Sequence, residues 1–558
     1  MKFNEFSKYL EKLEETSSRL KITDILADLL KKSDKNEIDK VIYLSLGILA
    51  PSFRGIVFNA ADQMIIRSIS LAFNEKIEKV KDEYKKLGDL GLVSEKLSKN
   101  KDSGLSVSEV FNRLREAAIE EGVGSQERRV NKIADILKSV DPLSAKFITR
   151  IPLGKLRLGF SEKTIIDALA ISKFGDKSKK SRLVKAFEVM PDIGLIAKEL
   201  PMHPSPKIGI PVSPMLAQRL NSPREMLEKM GEVAVEPKFD GLRVQIHFKD
   251  GEYFAFTRNL HNISLMFPEL ANLSKHLKAK EVILDSEGIG IDEETKKILD
   301  FQTIMTRRRK HDIAEIATKI PANFYCFDIL YKDGVNLMDK PYLERRKILR
   351  DTVKSGELLK VDEEITTTDP KEIAKLHEDY IKKGLEGIMV KKADSTYVPG
   401  RTGWRWVKMK QAESAQGKLS DTVDCVVMGY TVGKGKRAGF GIGQFLVGIL
   451  DGDKIKTITK VGTGLTDEQF KELKTRLEKL VVKDKPKEYE VNKILEPDYF
   501  VEPKVVVEIA ADDLTISPNH TSKYALRFPR LVNFRDDKEV KDATTLKEVE
   551  SLYKLQKK

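Results

Sequence analysis

The sequence predicts a multidomain protein in which an all-α domain is followed by an α+β domain and a small β-barrel. The chain has 558 residues, several times the length that one hydrophobic core usually serves. Apolar residues recur at helical spacing through residues 1–200, whereas alternating apolar positions follow a linker with four prolines between 204 and 214. We therefore place the domains at 1–203, 204–414 and 415–558.

Composition and charge narrow the class of protein further. Hydrophobic residues make up 41% of the chain and charged residues 33%. This balance excludes a membrane protein, and the hydrophobic fraction is too high for a disordered chain. The 99 Lys and Arg residues exceed the 86 Asp and Glu residues, and the net charge of +13 suits a polyanionic partner. Two cysteines are too few for a four-cysteine zinc site, and neither a signal peptide nor a long apolar run is found. We expect a soluble, intracellular protein.

The helical domain contains one segment, 148–169, in which basic residues flank two glycines. Its basic side chains are those of Arg150, Lys155, Arg157 and Lys163. One interpretation is a helix–turn–helix with a solvated charged edge. The other is a surface of backbone amides and cations that contacts phosphates.

A β-hairpin opens the α+β domain, because apolar residues alternate over 244–248 before a Lys-Asp-Gly turn at 249–251. Further strands are predicted at 282–291, 323–331 and 387–392. A polar stretch at 411–421 indicates a second linker. Beyond it, short strands with glycine turns and one helix at 467–480 predict the β-barrel.

Lys238, in a Lys-x-Asp-Gly sequence followed by Arg243, is the first candidate for chemistry. A surface lysine in a turn is the alternative interpretation. However, Lys238 ends one apolar strand and precedes another, so a rigid sheet can present it. Among Arg243, Arg258 and other cations its pKa would fall, and the amine could act as a nucleophile.

Carboxylates and an aromatic residue in apolar strands form a second group of candidates. Glu287 lies in such a strand, and Glu386 is flanked by glycines that allow close approach to the backbone. A buried glutamate requires either a structural ion pair or a ligand. Phe327 is either an ordinary core residue or part of the site.

Paired lysines form a third candidate. Alternation along a strand places Lys408 and Lys410 on one face with Trp406. A phosphate between the two ammonium groups would relieve their repulsion, and a solvated strand edge is the alternative. A basic and aromatic run follows at 526–538.

Taken together, the lysine, the strand carboxylates and the paired lysines favour nucleotidyl transfer over the separate structural interpretation of each motif. Cations would hold phosphates, carboxylates would hold Mg²⁺, and the lysine would attack the α-phosphorus.

The order of these motifs resembles that of the ATP-dependent DNA ligases, with the archaeal and eukaryotic replicative type nearest. The motifs are Lys-x-Asp-Gly-x-Arg (238–243), TRN (257–259), DSEG (285–288), FDILY (327–331), EGIMVK (386–391), WVKMK (406–410) and LRFPR (526–530). Segments 154–169, 433–441 and 460–470 are also similar to the family. The resemblance implies an all-α DNA-binding domain, an α+β nucleotidyltransferase (adenylation) domain and an OB-fold β-barrel.

The resemblance assigns a role to each residue around the nucleophile. Lys238 would form a lysyl–AMP phosphoramidate. Glu236 would lie by the adenine, and Phe327 would stack on it. Arg243 and Arg258 would bind phosphate, the latter on the DNA 5′ end.

The remaining roles concern metal and phosphates. Glu287 would contact the ribose or a metal, and Glu386 a metal. Lys408 and Lys410 would hold the α-phosphate. The arginines implied in nucleotide binding are Arg527 and Arg530, which would orient pyrophosphate, and Arg401, which is favoured over Arg405.

The resemblance implies an enzyme that seals 5′-phosphate/3′-hydroxyl nicks through lysyl–AMP and DNA–adenylate, in replication, repair and recombination. Its cofactors would be ATP, as AMP donor, and Mg²⁺ or Mn²⁺. Its partners would be nicked double-stranded DNA and a sliding clamp, with no membrane, and it would be a cytoplasmic, nucleoid-associated monomer.

Four rival functions predict different sequence features. An RNA ligase or a capping guanylyltransferase would share the lysine motif and the barrel, but not the helical domain. A non-catalytic DNA clamp would not need the lysine. An NAD-dependent ligase would carry a four-cysteine zinc module, although the use of ADP or NAD as a donor is left open.

Overall fold

The computed structural model describes residues 1–58, 60–156, 158–292, 298–299, 303–304, 307, 320–400, 403–410, 422–433, 441–462 and 465–556. The chain divides into two compact units, Met1–Lys410 and Gln411–Lys558. Among the described residues, no helix is both long enough and apolar enough to cross a membrane.

The first part of unit one is helical, as predicted. Its helices are α1 Phe3–Glu14, α2 Arg19–Lys32, α3 Ile38–Ser45, α4 Asp62–Phe73, α5 Ile77–Leu87, α6 Leu90–Leu97, α7 Val107–Ala118, α8 Ser125–Lys138, α9 Pro142–Arg150, α10 Glu162–Phe174, α11 Lys180–Val189 and α12 Ile193–Glu199. One apolar face of each helix packs into a shared core, to which α1 contributes Phe3, Phe6 and Leu10. Helix α7 begins with a capping box between Ser106 and Glu109.

For segment 148–169, the structure corrects the expectation at Arg150. Arg150 ends α9 and is only 4% exposed, and its guanidinium pairs with Glu14 at 2.6 Å and Asp89 at 3.1 Å. Its charge therefore serves neither a solvated edge nor a phosphate surface. Lys155 pairs with Asp62 at 2.9 Å, Lys163 is exposed, and Arg157 lies outside the described residues.

The α+β part of unit one is built on two sheets. Its strands are β1 Gln218–Arg219, β2 Val233–Lys238, β3 Leu242–Lys249, β4 Glu252–Thr257, β5 Glu281–Gly290, β6 Ala322–Lys332, β7 Val335–Asn336, β8 Leu359–Val361, β9 Ile365–Thr367, β10 Gly387–Lys392 and β11 Trp406–Lys410, and its helices are α13 Pro223–Met230, α14 Tyr342–Thr352 and α15 Pro370–Lys382. One sheet has the order β1-β11-β10-β2-β9, and the other has β4-β3-β5-β6-β7 with β8 beside β6. The predicted hairpin is β3–β4, joined at Lys249 and Glu252.

A shared apolar cluster joins the helical part to the α+β part. Phe53 and Met190 of the helical part pack with Val212 of the linker and with Phe256 and Leu330 of the second sheet. The rings of Phe53 and Phe256 meet edge to face at 6.4 Å. The proline-rich linker therefore belongs to a packed core.

Unit two is mainly β-structure, as predicted. Its strands are β12 Val423–Thr431, β13 Gln444–Asp451, β14 Lys454–Val461, β15 Val481–Val482, β16 Tyr489–Glu490, β17 Tyr499–Val501, β18 Val506–Ala510, β19 Asp513–Ile516, β20 Tyr524–Arg527 and β21 Arg530–Phe534, and its helices are α16 Asp467–Glu478 and α17 Leu546–Leu555. The main sheet has the order β15-β17-β12-β13-β14-β16, and β18 joins β12 to β21. The helix expected at 467–480 is α16, whose Leu473 and Leu477 pack on the sheet. Helix α17 was not predicted, and the predicted linker at 411–421 lies outside the described residues.

Candidate active site

Three adjacent strands, β2, β10 and β11, present a grid of side chains on one face of the first sheet. The antiparallel register of β10 with both neighbours sets the rows across the sheet. In order, the rows are Ala234–Lys391–Trp406, Glu236–Met389–Lys408 and Lys238–Gly387–Lys410. Successive rows are two residues apart, about 7 Å along the strands.

This face is the floor of a cavity of about 500 Å³. The cavity brings together seven of the side chains that the sequence predicted. They are Lys238, Glu236, Arg243, Arg258, Glu287, Phe327 and Lys408. Residues far apart in sequence therefore line one space, and their proposed roles depend on this arrangement.

Lys238 ends β2 and meets a carboxylate at the third row. Its Nζ pairs with Glu386, and Nζ of Lys410 lies 3.2 Å from the same carboxylate. Burial alone would raise the pKa of Glu386, but the two ammonium groups hold it below its usual value. The carboxylate thus links the predicted nucleophile to one of the predicted phosphate-binding lysines.

Two glycines allow the chains around Lys238 to approach each other closely. At Gly387 a Cβ would lie 2.1 Å from the Met409 carbonyl oxygen, so only glycine fits between β10 and β11. At Gly241 a Cβ would lie 2.8 Å from Cγ of Glu287. The glycine of the Lys-x-Asp-Gly motif therefore leaves room for the second carboxylate.

Arg243, on β3, is held by a bidentate ion pair. Its Nε and Nη2 donate to Asp285 at 3.0 and 2.6 Å, and its Nη1 donates to the Met215 carbonyl at 2.7 Å. The guanidinium lies 5.4 Å from the ring of Phe327 and 5.6 Å from that of Trp406. Arg243 is therefore oriented by its partners at the wall of the cavity.

Glu287, on β5, lies directly across from Arg243 on β3. Burial raises the pKa of Glu287 to about 7, against the opposing effect of Lys238 and Arg243. A carboxyl that is costly to ionise in the free protein would be stabilised as a carboxylate by a cation. This property suits a metal ligand or a hydrogen-bond partner for a sugar hydroxyl.

Phe327 reaches the cavity because of an irregularity in the second sheet. The register of β5 with β6 shifts between Asp285 and Ser286, which pair with Asp328 and Cys326. Phe327 is the extra residue of this bulge, and bulges redirect side chains. Its ring meets that of Trp406 edge to face at 6.0 Å.

Lys408, in the second row, lies where positive charge accumulates. Burial lowers its pKa, and the nearby cations Lys238, Lys410 and Arg258 lower it further. Cations crowded in this way are stabilised by a bound anion. Lys408 and Lys410 share a face, as the alternation predicted.

The residues present fit a divalent metal of the kind predicted. No cluster of three or more metal-binding side chains occurs in the part of the chain that the structure describes. Glu287 and Glu386 nevertheless both interact with Lys238. Mg²⁺ typically binds one or two carboxylates and takes its other ligands from substrate phosphates and water.

The remaining predicted residues fall elsewhere. Arg401 lies outside the described residues, so the choice between it and Arg405 stays open. Arg527 and Arg530 belong to unit two. There Arg527 is exposed, with its guanidinium 5.3 Å from the ring of Phe528, and Arg530 pairs with Asp512 at 2.7 Å.

Sequence reasoning missed a buried polar network beneath the cavity. Lys391, Tyr342 and Arg346 lie around Glu236, and Arg346 also pairs with Asp362 and Glu364. A usable signal exists in α14, where Tyr342 and Arg346 are four residues apart and share a helix face. Lys391, likewise, alternates with Met389 on the strand that follows Glu386.

Comparisons with known proteins place this architecture in context. Three family models match: "DNA ligase N terminus" over 2–170, "ATP dependent DNA ligase domain" over 214–410 and "ATP dependent DNA ligase C terminal region" over 438–538.

Relatives match over the full length of the chain. The probable DNA ligase of Dictyoglomus thermophilum is 41% identical over 576 residues, covering 100% of this chain and 98% of that protein. The DNA ligase of Sulfurisphaera tokodaii is 38% identical over 591 residues, with the same coverage of 100% and 98%. A solved structure named Pmar-Lig_PreS3 shares the fold at 18% identity, with a TM-score of 0.56 over 95% of this chain and 99% of that one.

Proposed function

Because the chain belongs to the family of ATP-dependent DNA ligases, we propose that its cavity binds ATP, that Lys238 accepts AMP, and that the AMP then activates a nick. Nζ of Lys238 forms a bond to the α-phosphorus as the bond to the β-phosphate oxygen breaks. Pyrophosphate leaves with that electron pair. Nζ, an ammonium in its pair with Glu386, loses one proton to solvent before the attack and a second one after it, so that the phosphoramidate nitrogen is neutral. A 5′-phosphate oxygen of DNA then attacks the α-phosphorus, the P–N bond breaks, and Nζ takes up a proton as it leaves. The adjoining 3′-hydroxyl attacks the 5′-phosphorus, loses its proton and displaces AMP, which closes the nick.

The third row of the grid is the observation that carries this proposal. Lys238 lines the cavity and shares the Glu386 carboxylate with Lys410, and Lys408, which also lines the cavity, lies one row away. We assign Lys408 and Lys410 to the α-phosphate, since cations held on a rigid sheet stabilise the charge that develops there without rearrangement. Arg258 is assigned to the DNA 5′-phosphate.

Glu287 and Glu386 are the residues assigned to Mg²⁺ or Mn²⁺, which would neutralise phosphate charge when bound. Glu287 is also a candidate for the ribose. Phe327 and Glu236 are assigned to the adenine, as a stacking ring and as an acceptor at the edge of the base. The bulge that turns Phe327 inward supports the first assignment.

We further infer that the domains are bounded at 1–203, 204–414 and 415–558, and that the last is an OB fold. Support comes from the antiparallel pairing of β12 with β13 and β13 with β14, and from α16. A monomer, a sliding-clamp partner and a nucleoid-associated, cytoplasmic location rest on family membership. Size-exclusion chromatography with light scattering tests the monomer directly.

Sealing of a singly nicked duplex with ATP and Mg²⁺ tests the proposed function. Lys238→Arg should abolish both sealing and self-labelling by α-³²P-ATP, because a guanidinium stays protonated and cannot attack phosphorus. Lys249→Arg is the matched control, since Lys249 is an exposed hairpin lysine paired with Glu281. Ordinary sealing by Lys238→Arg, or labelling by GTP in preference to ATP, would reject the assignment.

A further inference from the structure

Lys391, in the first row of the grid, is enclosed by aromatic rings. It is 1% exposed, and its Nζ lies 4.6 Å from the ring centroid of Phe327 and 4.5 Å from that of Trp406. The ring of Tyr342 is 4.9 Å away. Such an ammonium is isolated from water, so its remaining polar contacts determine what it does.

Those polar contacts reach both residues assigned to the adenine. Nζ of Lys391 pairs with Oε2 of Glu236 at 2.6 Å, and it donates to the backbone carbonyl of Phe327 at 3.1 Å. The same cation also lies against the Phe327 ring. One buried side chain therefore fixes an acidic group and an aromatic ring that face the cavity from different sheets.

Glu236 is held at its other oxygen as well. The hydroxyl of Tyr342 donates to Oε1 of Glu236. Arg346 lies farther from this carboxylate, at 3.9 Å, because it pairs with Asp362 at 2.6 Å. Each oxygen of Glu236 thus has one fixed donor, and a carboxylate oxygen can accept a second one.

We propose that Lys391 is a positioning residue that, with Tyr342, sets the purine preference of the cavity. It fixes Glu236 as an acceptor for the exocyclic amino group of adenine and fixes Phe327 as the stacking surface. This inference rests on the proposed function. A carboxylate accepts hydrogen bonds but offers none, so it attracts the 6-amino group of adenine and repels the 6-oxo group of guanine.

Loss of the Lys391 ammonium changes both groups. In Lys391→Met, Glu236 would lose its closest cationic partner and one of its two fixed donors, so its carboxylate would no longer be held in place for the amino group, and the Phe327 carbonyl would lose its donor. Selectivity for the amino group should then fall. A site built to bind a donor discriminates strongly against analogues that lack it, so the effect should be large.

The experiment measures how fast the full chain forms a covalent lysyl–nucleoside monophosphate with each of three nucleoside triphosphate donors. These are ATP, GTP and the 5′-triphosphate of purine riboside, which lacks the 6-amino group. In Lys391→Met the preference for ATP over the purine riboside analogue should fall by at least about tenfold, mainly through a higher KM for ATP. Tyr342→Phe removes only the hydroxyl and should change the preference in the same direction, by less.

Lys146→Met is the matched control. Lys146 is also a buried lysine paired with a glutamate, Glu14, at 2.7 Å, and its Nζ lies 5.1 Å from the ring of Phe147. It belongs to the helical part, so its loss should lower stability without altering donor preference.

The outcomes separate this inference from the proposed function. An unchanged preference in Lys391→Met and Tyr342→Phe, or an equal loss with every donor, would overturn the positioning role. If Lys391→Met does not fold, Tyr342→Phe decides alone. Failure of the unmodified protein to form any intermediate with ATP would instead reject the proposed function.

Discussion

Replacing Asp285 by Asn tests whether the wall of the cavity is held by a buried ion pair. Asp285 is 1% exposed, and its oxygens accept bonds from Arg243 at 3.0 and 2.6 Å and from the Tyr397 hydroxyl at 2.9 Å. Asn keeps one carbonyl acceptor but removes the negative charge. Arg243 would remain in the wall as a cation without its counter-ion.

The expected cost follows from this geometry. Breaking a buried ion pair by removing one partner costs about 3–5 kcal/mol. Arg243 is 17% exposed and keeps the Met215 carbonyl at 2.7 Å, so the lower end, about 3 kcal/mol, applies. With an m-value of about 3 kcal/mol/M, the urea midpoint should fall by about 1 M.

Tryptophan fluorescence is a suitable readout for this measurement. The chain contains two tryptophans, Trp404 and Trp406, and both belong to unit one. Glu281→Gln is the control on the same strand, because Glu281 pairs with the half-exposed Lys249 and such pairs are worth at most about 1 kcal/mol. If Asp285→Asn shifts the midpoint no more than Glu281→Gln does, the buried pair does not stabilise the wall.

Three further predictions concern charge. Because the pKa of Glu287 is raised from 4.5 to about 7, the folded state holds its proton longer, and unfolding free energy should fall as pH rises across that window; Glu287→Gln should flatten this fall in urea titrations. An Arg527→Ala/Arg530→Ala variant should fail in lysyl–AMP formation yet seal a pre-adenylated nick without ATP, and equal loss in both assays would contradict a pyrophosphate contact. In fluorescence anisotropy with a nicked duplex, the logarithm of the binding constant should fall linearly with the logarithm of the salt concentration. A binding constant that does not change with salt would exclude phosphate contacts.

The strand alternation allowed much of the site to be predicted from sequence. Lys408 and Lys410 share a face because side chains alternate along β11, and Lys238 belongs to the same face through the register with β10. The hairpin was predictable for the same reason, since its turn residues and its apolar alternation agree. The local sequence is enough to predict a side chain's direction where the alternation along a strand alone determines it.

Tertiary partners account for what the sequence did not reveal. Arg150 is buried because Glu14 and Asp89, more than 60 residues away, neutralise it, and no local pattern encodes that contact. Phe327 faces the cavity because one extra residue interrupts the ladder with β5. Lys391 is the last residue of the EGIMVK motif on β10, and its ion-pair partner Glu236 lies on β2. The local sequence around Lys391 therefore does not show the pair.

The distribution of charge along the grid explains why Lys238 is placed at its end. In the first row the ammonium of Lys391 is neutralised by Glu236 and surrounded by aromatic rings, so this end suits an uncharged base. Two rows further, about 14 Å along the strands, Lys238 and Lys410 share the single carboxylate of Glu386. Burial, together with the cations around it, lowers the pKa of Lys408 there. In the proposed function, a nucleotide that aligns its base with the neutral end would bring its phosphates to the cationic end, where Lys238, the proposed nucleophile, lies.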